Sequence, residues 1–387
     1  MMARRYGVGA LNPPELTVGQ KLRDMNWGLV LLITAIAGIG FAMLYSAANG
    51  NWSPWAYRQA IRFAGGAVLM IGLALVDLRF LMRWAYAGYL TAFALLVAVE
   101  IAGEIGMGAQ RWVDFGFFQL QPSEVMKLAL VLALARYFHG LTHEEIGRPH
   151  YLLIPLAMIG APVVLVLRQP DLGTAGMMLM GAGAIFWVAG VRFWKFATLA
   201  VAAVGSVPIA WGFLREYQKK RILTFLDPES DPLGSGYHIL QSKIALGSGG
   251  VFGKGFLQGS QSHLNFLPEK QTDFIFTMLA EEFGLVGGIG LLGLYTLALV
   301  YGFAIALRSS SQFGRLVAMG VTTTLFLYLF INIAMVMGLI PVVGVPLPLI
   351  SYGGTAMLTA MLGFGLLINV FVHRDIEISR QGVDEDP

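Results

Sequence analysis

The chain contains a series of long apolar runs, each approaching the length of about 20 residues that a helix needs to cross a bilayer. Short polar segments separate most of the runs. The runs lie at about 26–46, 61–77, 84–102, 123–139, 151–167, 174–190, 196–213, 284–307, 316–338 and 353–372. The sequence therefore predicts an all-α integral membrane protein with about ten transmembrane helices.

Composition supports this fold class and excludes several kinds of chemistry. Of the 387 residues, 56% are hydrophobic and 13% are charged, whereas soluble proteins carry about 25% charged residues. The chain has no cysteine, which excludes disulfides, thiolate metal sites and cysteine nucleophiles. His139 and His143 are four residues apart but do not form the H-E-x-x-H zinc pattern. An ordinary loop is the preferred interpretation there, and no metal site is predicted.

Lysine and arginine residues in the short connections indicate the orientation in the membrane. If the N-terminus is inside, every inner segment carries at least two of them. The inner set is Arg4, Arg5, Lys21, Arg23, Arg79, Arg83, Arg136, Arg148, Arg192, Lys195, Arg308, Arg315, Arg374 and Arg380. The positive-inside rule then predicts cytoplasmic tails at 1–25 and 373–387 and a transmembrane domain at 26–372. The net charge of +3 is sorted by membrane side and does not indicate nucleic-acid binding.

One predicted outer connection, residues 214–272 between the seventh and eighth runs, is much longer than the others. It holds seven lysines or arginines, and loops of this length are usually functional. Its glycine-rich stretch at 247–255 lacks the G-x-x-x-x-G-K-[ST] pattern of a phosphate-binding loop, so ATP chemistry is not indicated. We expect most of the chemistry near this loop.

Asp273 is the leading candidate for a catalytic residue. It follows the long loop and stands beside apolar and aromatic residues at the predicted membrane surface. Partial desolvation there would raise the pKa of the carboxyl toward that of a useful general base. By residue type alone, capping of the following helix by Thr272 or Asp273 is the more common use of such residues.

A second group of candidates lies at the predicted outer end of the fourth run. Glu124 and Lys127 are three residues apart, so a helix places them on one face. Charged residues inside a membrane tend to mark functional sites, although a structural ion pair explains them equally well. Arg111 precedes them in the same outer segment, where it can face lipid headgroups or a substrate phosphate.

The long loop and its surroundings supply the remaining candidates. Lys243, Gln261 and Ser262 lie in the loop, where cations and backbone amides can bind an anionic headgroup or pyrophosphate, although solvated loop lysines are commoner. Glu281 and Glu282 follow Asp273 by about two helical turns and receive no firm role. Ser351 belongs to a proline- and glycine-rich turn leading into the last run, for which a structural role is the simplest interpretation.

Six motifs occur in order along nearly the whole chain, and together they carry a family resemblance. They are Arg111-Trp112, Gln121-Pro122-Ser123-Glu124 with Lys127, Gln169-Pro170-Asp171-Leu172-Gly173-Thr174, Gly236-Tyr237-His238 through Gly250, Phe266-Leu267-Pro268-Glu269 with Thr272-Asp273-Phe274-Ile275-Phe276, and Pro348-Leu349-Ile350-Ser351-Tyr352-Gly353-Gly354. The sequence resembles the SEDS family (shape, elongation, division and sporulation proteins). The stretches 237–243, 279–282 and 344–348 resemble the RodA branch more than FtsW. Gln271 and Thr355 depart from the residues many relatives carry, and neither departure removes an essential group.

The resemblance implies a peptidoglycan glycosyltransferase that polymerises lipid II for cell elongation and rod shape. It implies a bacterial inner-membrane location, an extracytoplasmic active site, a class B penicillin-binding protein as partner and contact with other elongation-complex proteins. Asp273 would act as general base in an inverting transfer that expels undecaprenyl pyrophosphate. Arg111, Lys127 and Lys243, or a divalent cation such as Mg²⁺ or Mn²⁺, are candidates for stabilising the departing charge.

Two other functions stay open at this point. Many spans with polar residues inside them also describe a transporter such as a lipid II flippase, although the chain shows no internal repeat. A non-catalytic membrane scaffold for wall enzymes would leave Asp273 as a helix cap.

Overall fold

The computed structural model describes residues 17–379 apart from 103, 107–108, 115, 117–118, 214–215, 228–234, 265 and 268. Residues 1–16 and 380–387 of the two predicted tails lie outside this range. The helices are α1 (Val18–Arg23), α2 (Trp27–Ala47), α3 (Ala56–Leu75), α4 (Leu78–Ala102), α5 (Pro122–His139), α6 (His143–Ile146), α7 (Leu153–Arg168), α8 (Leu172–Ala189), α9 (Phe193–Phe213), α10 (Glu216–Leu226), α11 (Ser235–Ser248), α12 (Ser260–His263), α13 (Ile275–Arg308), α14 (Gln312–Val336) and α15 (Gly354–Val372).

Within the described residues, eight helices are long and apolar enough to cross a membrane. These are α2, α3, α4, α7 with the 3₁₀ turn before it, α8, α13, α14 and α15. The multi-span, mostly helical fold class is therefore confirmed. The other two predicted spans also contain helices. One, α5, carries Glu124, Lys127 and Arg136, and the other, α9, is apolar over Phe193–Pro208.

The most buried spanning helices, α14 and α15, form the centre of the bundle. Small residues let α3 approach α15 closely, as is common where helices pack without a hydrophobic driving force. A side-chain carbon added at Gly66 would come within 2.8 Å of Cγ of Met361. One added at Gly365 would come within 3.0 Å of the carbonyl oxygen of Met70.

Helix α13 consists of two helical pieces, because Gly284 has non-helical backbone angles of φ 65° and ψ −161°. The break leaves backbone groups without partners inside the helix, and a buried helix interruption needs substitutes for them. The loop after α11 provides these: Lys254 N donates to the Glu281 carbonyl, and Leu285 N donates to the Gly250 carbonyl. The predicted run began at residue 284 and so found only the second piece. The first piece, which follows Asp273, contains two glutamates that interrupt the apolar pattern.

The predicted loop at 214–272 is largely helical where it is described, since it contains α10, α11 and α12. A small antiparallel sheet of β1 (Glu104–Gly106), β2 (Ala109–Asp114) and β3 (Gln119–Leu120) lies between α4 and α5. The sequence pattern did not predict this sheet. Its strands are short enough that they show no clear alternation of apolar and polar residues.

Candidate functional site

Asp273 lies in a turn immediately before α13 and does not cap that helix. The N-cap position is Phe274, with no side-chain capping bond, and the Thr272 hydroxyl donates instead to the Glu269 carbonyl at 3.2 Å. The capping interpretation is therefore wrong for both Thr272 and Asp273. The Asp273 carboxylate is half-buried, and no hydrogen bond from any described residue engages it. It is available for a ligand.

The environment of Asp273 changes its acidity. Burial, and to a smaller extent the negative charge of Glu269, raise the pKa of this carboxyl against the opposing charge of Arg221, and the net result is a pKa of about 6. A carboxyl with a pKa near 6 is ionised at neutral pH and is still a stronger proton acceptor than an ordinary aspartate. The perturbation combines desolvation with specific charged neighbours, which is a pattern typical of functional sites.

The proline turn, residues 341–353, lies directly over Asp273. Gly344 adopts φ +73°, and a side-chain carbon there would lie 3.4 Å from Oδ2 of Asp273. Glycine is therefore favoured at this position both by the left-handed backbone and by the close approach of the carboxylate. The turn therefore packs against the Asp273 carboxylate.

Three hydrogen bonds fix the backbone on which Asp273 sits. The Ser351 hydroxyl donates to the Thr272 carbonyl at 2.6 Å, and Tyr352 N donates to the Gln271 carbonyl at 2.8 Å. The side-chain amide of Asn332 donates to the carbonyl of Asp273 at 3.0 Å, and to that of Val345 at 2.8 Å. Asn332 thus joins the catalytic candidate to the proline turn. A site held on its backbone in this way needs little rearrangement before it acts.

Ser351 has a positioning role in this structure. Its hydroxyl also accepts from Leu347 N at 2.7 Å, and its carbonyl accepts from the Gln59 side chain of α3 at 2.9 Å. Both Ser351 and Gln59 are buried. The predicted contact of Ser351 with substrate stays a prediction, because its hydroxyl already bonds within the protein.

An open cleft of about 490 Å³, counting the space open to the surroundings, adjoins the proline turn at its residues 341–343. Two arginines, Arg111 and Arg221, line it together with Asp171. Arg111 Nε donates to the Gln169 carbonyl at 3.0 Å, and its Nη1 lies 3.8 Å from the Asp171 carboxylate. The motif residues 169–171 thereby orient the predicted substrate-binding arginine toward the cleft. Arg221 was not predicted, because nothing in the sequence separates it from the other cations of the long loop.

Glu124 and Lys127 form a buried ion pair in the bundle, with Nζ of Lys127 2.7 Å from Oε1 of Glu124. Tyr328 of α14 completes the group, since its hydroxyl donates to Glu124 and accepts from Lys127. The sequence predicted the pair but missed the tyrosine. Because each charge has a hydrogen-bonded partner, the group is tolerated in the bundle interior.

An apolar cavity of about 520 Å³, counting the space open to the surroundings, lies beside Lys127, between α5, α14 and α15. Its walls include Leu128, Leu325 and Phe364. Pro346 and Pro348 of the proline turn also line it. The same turn therefore borders the arginine cleft, the Asp273 carboxylate and this apolar cavity.

The long-loop candidates occupy a separate cluster. The backbone amides of Gln261 and Ser262 donate to the carboxylate of Glu281 at 2.9 and 3.2 Å, the Ser262 hydroxyl donates at 2.9 Å, and Lys254 donates at 2.8 Å. These donors bind an internal carboxylate in this structure, so substrate binding by Gln261 and Ser262 stays a prediction. Lys243 is exposed on α11 beside Gly338.

The neighbouring Glu282 links the first piece of α13 to α2. Its Oε1 accepts from the Ser46 hydroxyl at 2.5 Å and lies 3.2 Å from Nε2 of His263. Nδ1 of His263 contacts the side chain of Asn49 at 2.5 Å. The two buried glutamates therefore hold the short helix after Asp273 in place from two sides.

Of the two histidines singled out for their spacing, only His139 has a described side chain. Nε2 of His139 contacts the Ser379 carbonyl at 3.2 Å, while the side chain of His143 lies outside the described residues, as does Pro268 of the motif before Asp273. Among the described residues, no three histidine, aspartate or glutamate side chains lie together as metal ligands.

The fold and the site together define the class of this protein. It is a multi-span membrane protein with a polar, carboxylate-bearing site at one end of its helix bundle. The family of cell cycle proteins comprising FtsW, RodA and SpoVE matches residues 25–376. The chain belongs to this family, the SEDS family.

Individual relatives support the RodA branch. The chain is 43% identical to the peptidoglycan glycosyltransferase MrdB of Escherichia coli K12, over 94% of this chain and 97% of that protein. It is 33% identical to the peptidoglycan glycosyltransferase RodA of Treponema pallidum, over 90% and 97% of the two chains.

Solved structures give the same result. A chain of a peptidoglycan synthase complex, studied for its coordination of polymerization and crosslinking, matches with a TM-score of 0.79 at 34% identity, over 91% of this chain and 98% of that one. The rod shape determining protein RodA of Thermus thermophilus matches with a TM-score of 0.69 at 30% identity, over 91% and 98%.

Proposed function

We propose that this chain polymerises lipid II into glycan strands, the class of activity by which several of its relatives are named. The observation that carries the proposal is the Asp273 carboxylate, half-buried, with a pKa of about 6, and free of protein hydrogen bonds in the described part of the chain. Lipid II is a disaccharide-pentapeptide on undecaprenyl pyrophosphate. An enzyme for it needs a base for a sugar hydroxyl, cations for a pyrophosphate and an apolar surface for a lipid.

The proposed reaction begins when Asp273 removes the proton from the 4-hydroxyl of the acceptor GlcNAc. The oxygen attacks the anomeric carbon of the donor MurNAc, and the bond from that carbon to the pyrophosphate oxygen breaks with inversion. Fixing the backbone of Asp273 through Asn332 and Ser351 keeps the carboxylate in position while it accepts the proton.

The departing pyrophosphate needs its negative charge neutralised more than it needs a proton. Arg111 and Arg221 in the cleft beside the proline turn are the cations that the geometry favours for this role. The described residues bring no three histidine, aspartate or glutamate side chains together, but Mg²⁺ is commonly held by one or two carboxylates together with substrate phosphates, so a divalent cation bound with the pyrophosphate stays a prediction. We derive no step through a metal.

The apolar cavity beside Lys127 would receive the first part of a lipid chain. It shares the proline turn with Asp273 and with the arginine cleft, so a lipid, its pyrophosphate and a sugar could lie on consecutive parts of one wall. Lys127 is paired with Glu124, and we assign the pair to shaping this wall. Lys243 is a weaker candidate because it is exposed on α11 and lines neither the arginine cleft nor the apolar cavity.

We further propose an orientation and a partner. The distribution of lysine and arginine puts both termini in the cytoplasm and the Asp273 end outside, in a bacterial inner membrane. A class B penicillin-binding protein would cross-link the product, since one structural relative belongs to a complex that joins polymerization with crosslinking. Other elongation-complex proteins would then assemble around the pair.

One assay separates the three candidate functions. The purified full-length chain, with and without a class B penicillin-binding protein, receives labelled lipid II in detergent and in vesicles. Glycan chains in detergent are expected and support the enzyme. Transfer of lipid II across vesicles without polymer would contradict the proposal in favour of a carrier, and neither activity in the presence of the partner would favour a scaffold.

A further inference from the structure

A groove opens at the end of the bundle opposite Asp273, where α2 begins and where α13 and α15 end. Its cavity volume is about 370 Å³. This is within the range of about 300–1,000 Å³ typical of small-molecule sites. Its walls include Trp27, Leu297, Val300 and Phe371. These residues belong to three different helices, so the groove is a feature of the assembled bundle.

Three hydrogen-bond donors line this groove: the guanidinium of Arg308, the hydroxyl of Tyr301 and the side-chain amide of Asn26. Within the described part of the chain, neither the guanidinium nor the hydroxyl has a protein partner. The oxygen of Asn26 caps α2 by accepting from Leu29 N at 3.1 Å, which leaves its NH₂ group for another acceptor. No described acidic residue lines the groove.

The surroundings of these donors are fixed by local packing. Gly28 leaves room for Tyr301, because a side-chain carbon there would lie 2.8 Å from the Tyr301 hydroxyl oxygen. The indole of Trp27 donates to the Leu22 carbonyl at 3.1 Å, which holds the ring as a wall. Local packing therefore helps to place the Tyr301 hydroxyl and the Trp27 ring at the groove.

A cation in the last turn of α13 is explained in part by the helix dipole. The dipole does not account for an adjoining groove with two further unpaired donors and no carboxylate among its described lining residues. Leu297 and Val300 are exposed on the turns of α13 nearer the membrane interior. A ligand that fits has several acceptor oxygens at the level of Arg308 and an apolar chain that runs toward the hydrocarbon.

We propose that this groove binds one anionic glycerophospholipid, with its phosphate on Arg308 and Tyr301 and an acyl chain along Leu297 and Val300. Basic pockets between membrane helices bind such headgroups in other proteins. The site is distinct from Asp273 and does not depend on the glycosyltransferase proposal. It requires only that the chain spans a membrane.

The test measures binding of dioleoylphosphatidylglycerol to the purified full-length protein by native mass spectrometry in detergent. Wild type is expected to hold one lipid tightly, and Arg308→Gln is expected to weaken this first binding about tenfold, the effect of losing one charge-assisted hydrogen bond. Arg192→Gln is the matched control. Arg192 is exposed just before α9, is predicted on the same membrane side, and its loss is expected to change binding by less than about twofold.

A second variant tests the apolar half of the site. Leu297→Trp fills the groove and leaves every charge in place, so it is expected to weaken binding of the lipid as well. It also decides the question if Arg308→Gln does not yield folded protein, as judged by thermal unfolding without added lipid.

Three results would overturn the proposal. Equal losses in Arg308→Gln and Arg192→Gln would show general surface attraction. Equally tight binding of phosphatidylcholine would show that the anionic headgroup is not selected. Displacement of the lipid by an equal concentration of free glycerol 1-phosphate would show that the ligand is a soluble phosphate.

Discussion

The raised pKa of Asp273 predicts that this residue destabilises the folded protein at neutral pH. A rise of the carboxyl pKa from 3.8 to about 6 corresponds to about 3 kcal/mol at 1.36 kcal/mol per unit. Solvent reaches the half-buried carboxylate and reduces this to about 2 kcal/mol. We therefore expect Asp273→Asn, which cannot ionise, to be more stable than wild type at pH 7.

The sign of the pH dependence follows from linkage. Because the folded pKa lies above the unfolded value, the burial of Asp273 does not reduce the free energy of unfolding below about pH 4, where the carboxyl is protonated in the folded state. The free energy of unfolding falls as the pH rises through the folded pKa of about 6 and stays lower above it. The advantage of Asp273→Asn should thus grow between about pH 4 and pH 6 and then remain constant.

The assay is thermal or denaturant unfolding of wild type and variant in the same detergent at a series of pH values. Asp24→Asn is the control, because Asp24 is exposed and its substitution should leave stability within about 0.5 kcal/mol of wild type. An Asp273→Asn protein no more stable than wild type at pH 7 would refute the reasoning. So would an advantage that does not change with pH.

Three further predictions concern the surroundings of the carboxylate. In a plot of kcat/KM for polymerisation against pH, the midpoint of the acid limb should lie near pH 6. Glu269→Gln, which removes a negative neighbour, should shift this midpoint to lower pH, and Arg221→Gln should shift it to higher pH. Asn332→Ala should lower kcat about 10- to 100-fold with a smaller change in KM, because it frees the backbone of Asp273. A change in KM as large as the change in kcat would contradict a positioning role. Gly344→Ala should cost about 1–3 kcal/mol of stability from its left-handed backbone and should lower the rate, and an unfolding midpoint equal to wild type would contradict the strain.

The multi-span fold was predictable because every backbone group in a bilayer must be bonded within a helix, which demands long apolar runs. The starts of helices were harder to predict where charged side chains lie inside a helix. Arg79 and Arg83 near the start of α4, and Glu281 and Glu282 in α13, shortened the predicted spans. A hydropathy pattern contains no information on whether another part of the chain forms hydrogen bonds with such a charged side chain.

The same limit applies to the site. Asp273 could be singled out from its position after a long loop, and Arg111 and Lys127 from charge at the membrane. Asn332 is one amide in a long apolar run, and Tyr328 is 201 residues from its partner Lys127. Their contacts depend on packing between helices far apart in sequence, which local pattern does not encode.

The central claim is that Asp273 is the general base. The most direct test compares wild type, Asp273→Asn and Asp24→Asn, each reconstituted with the partner and supplied with purified lipid II. The account predicts that Asp273→Asn stays folded, binds lipid II and polymerises it about 10²- to 10⁴-fold more slowly, while Asp24→Asn matches wild type. Polymerisation by Asp273→Asn at the wild-type rate would contradict the account.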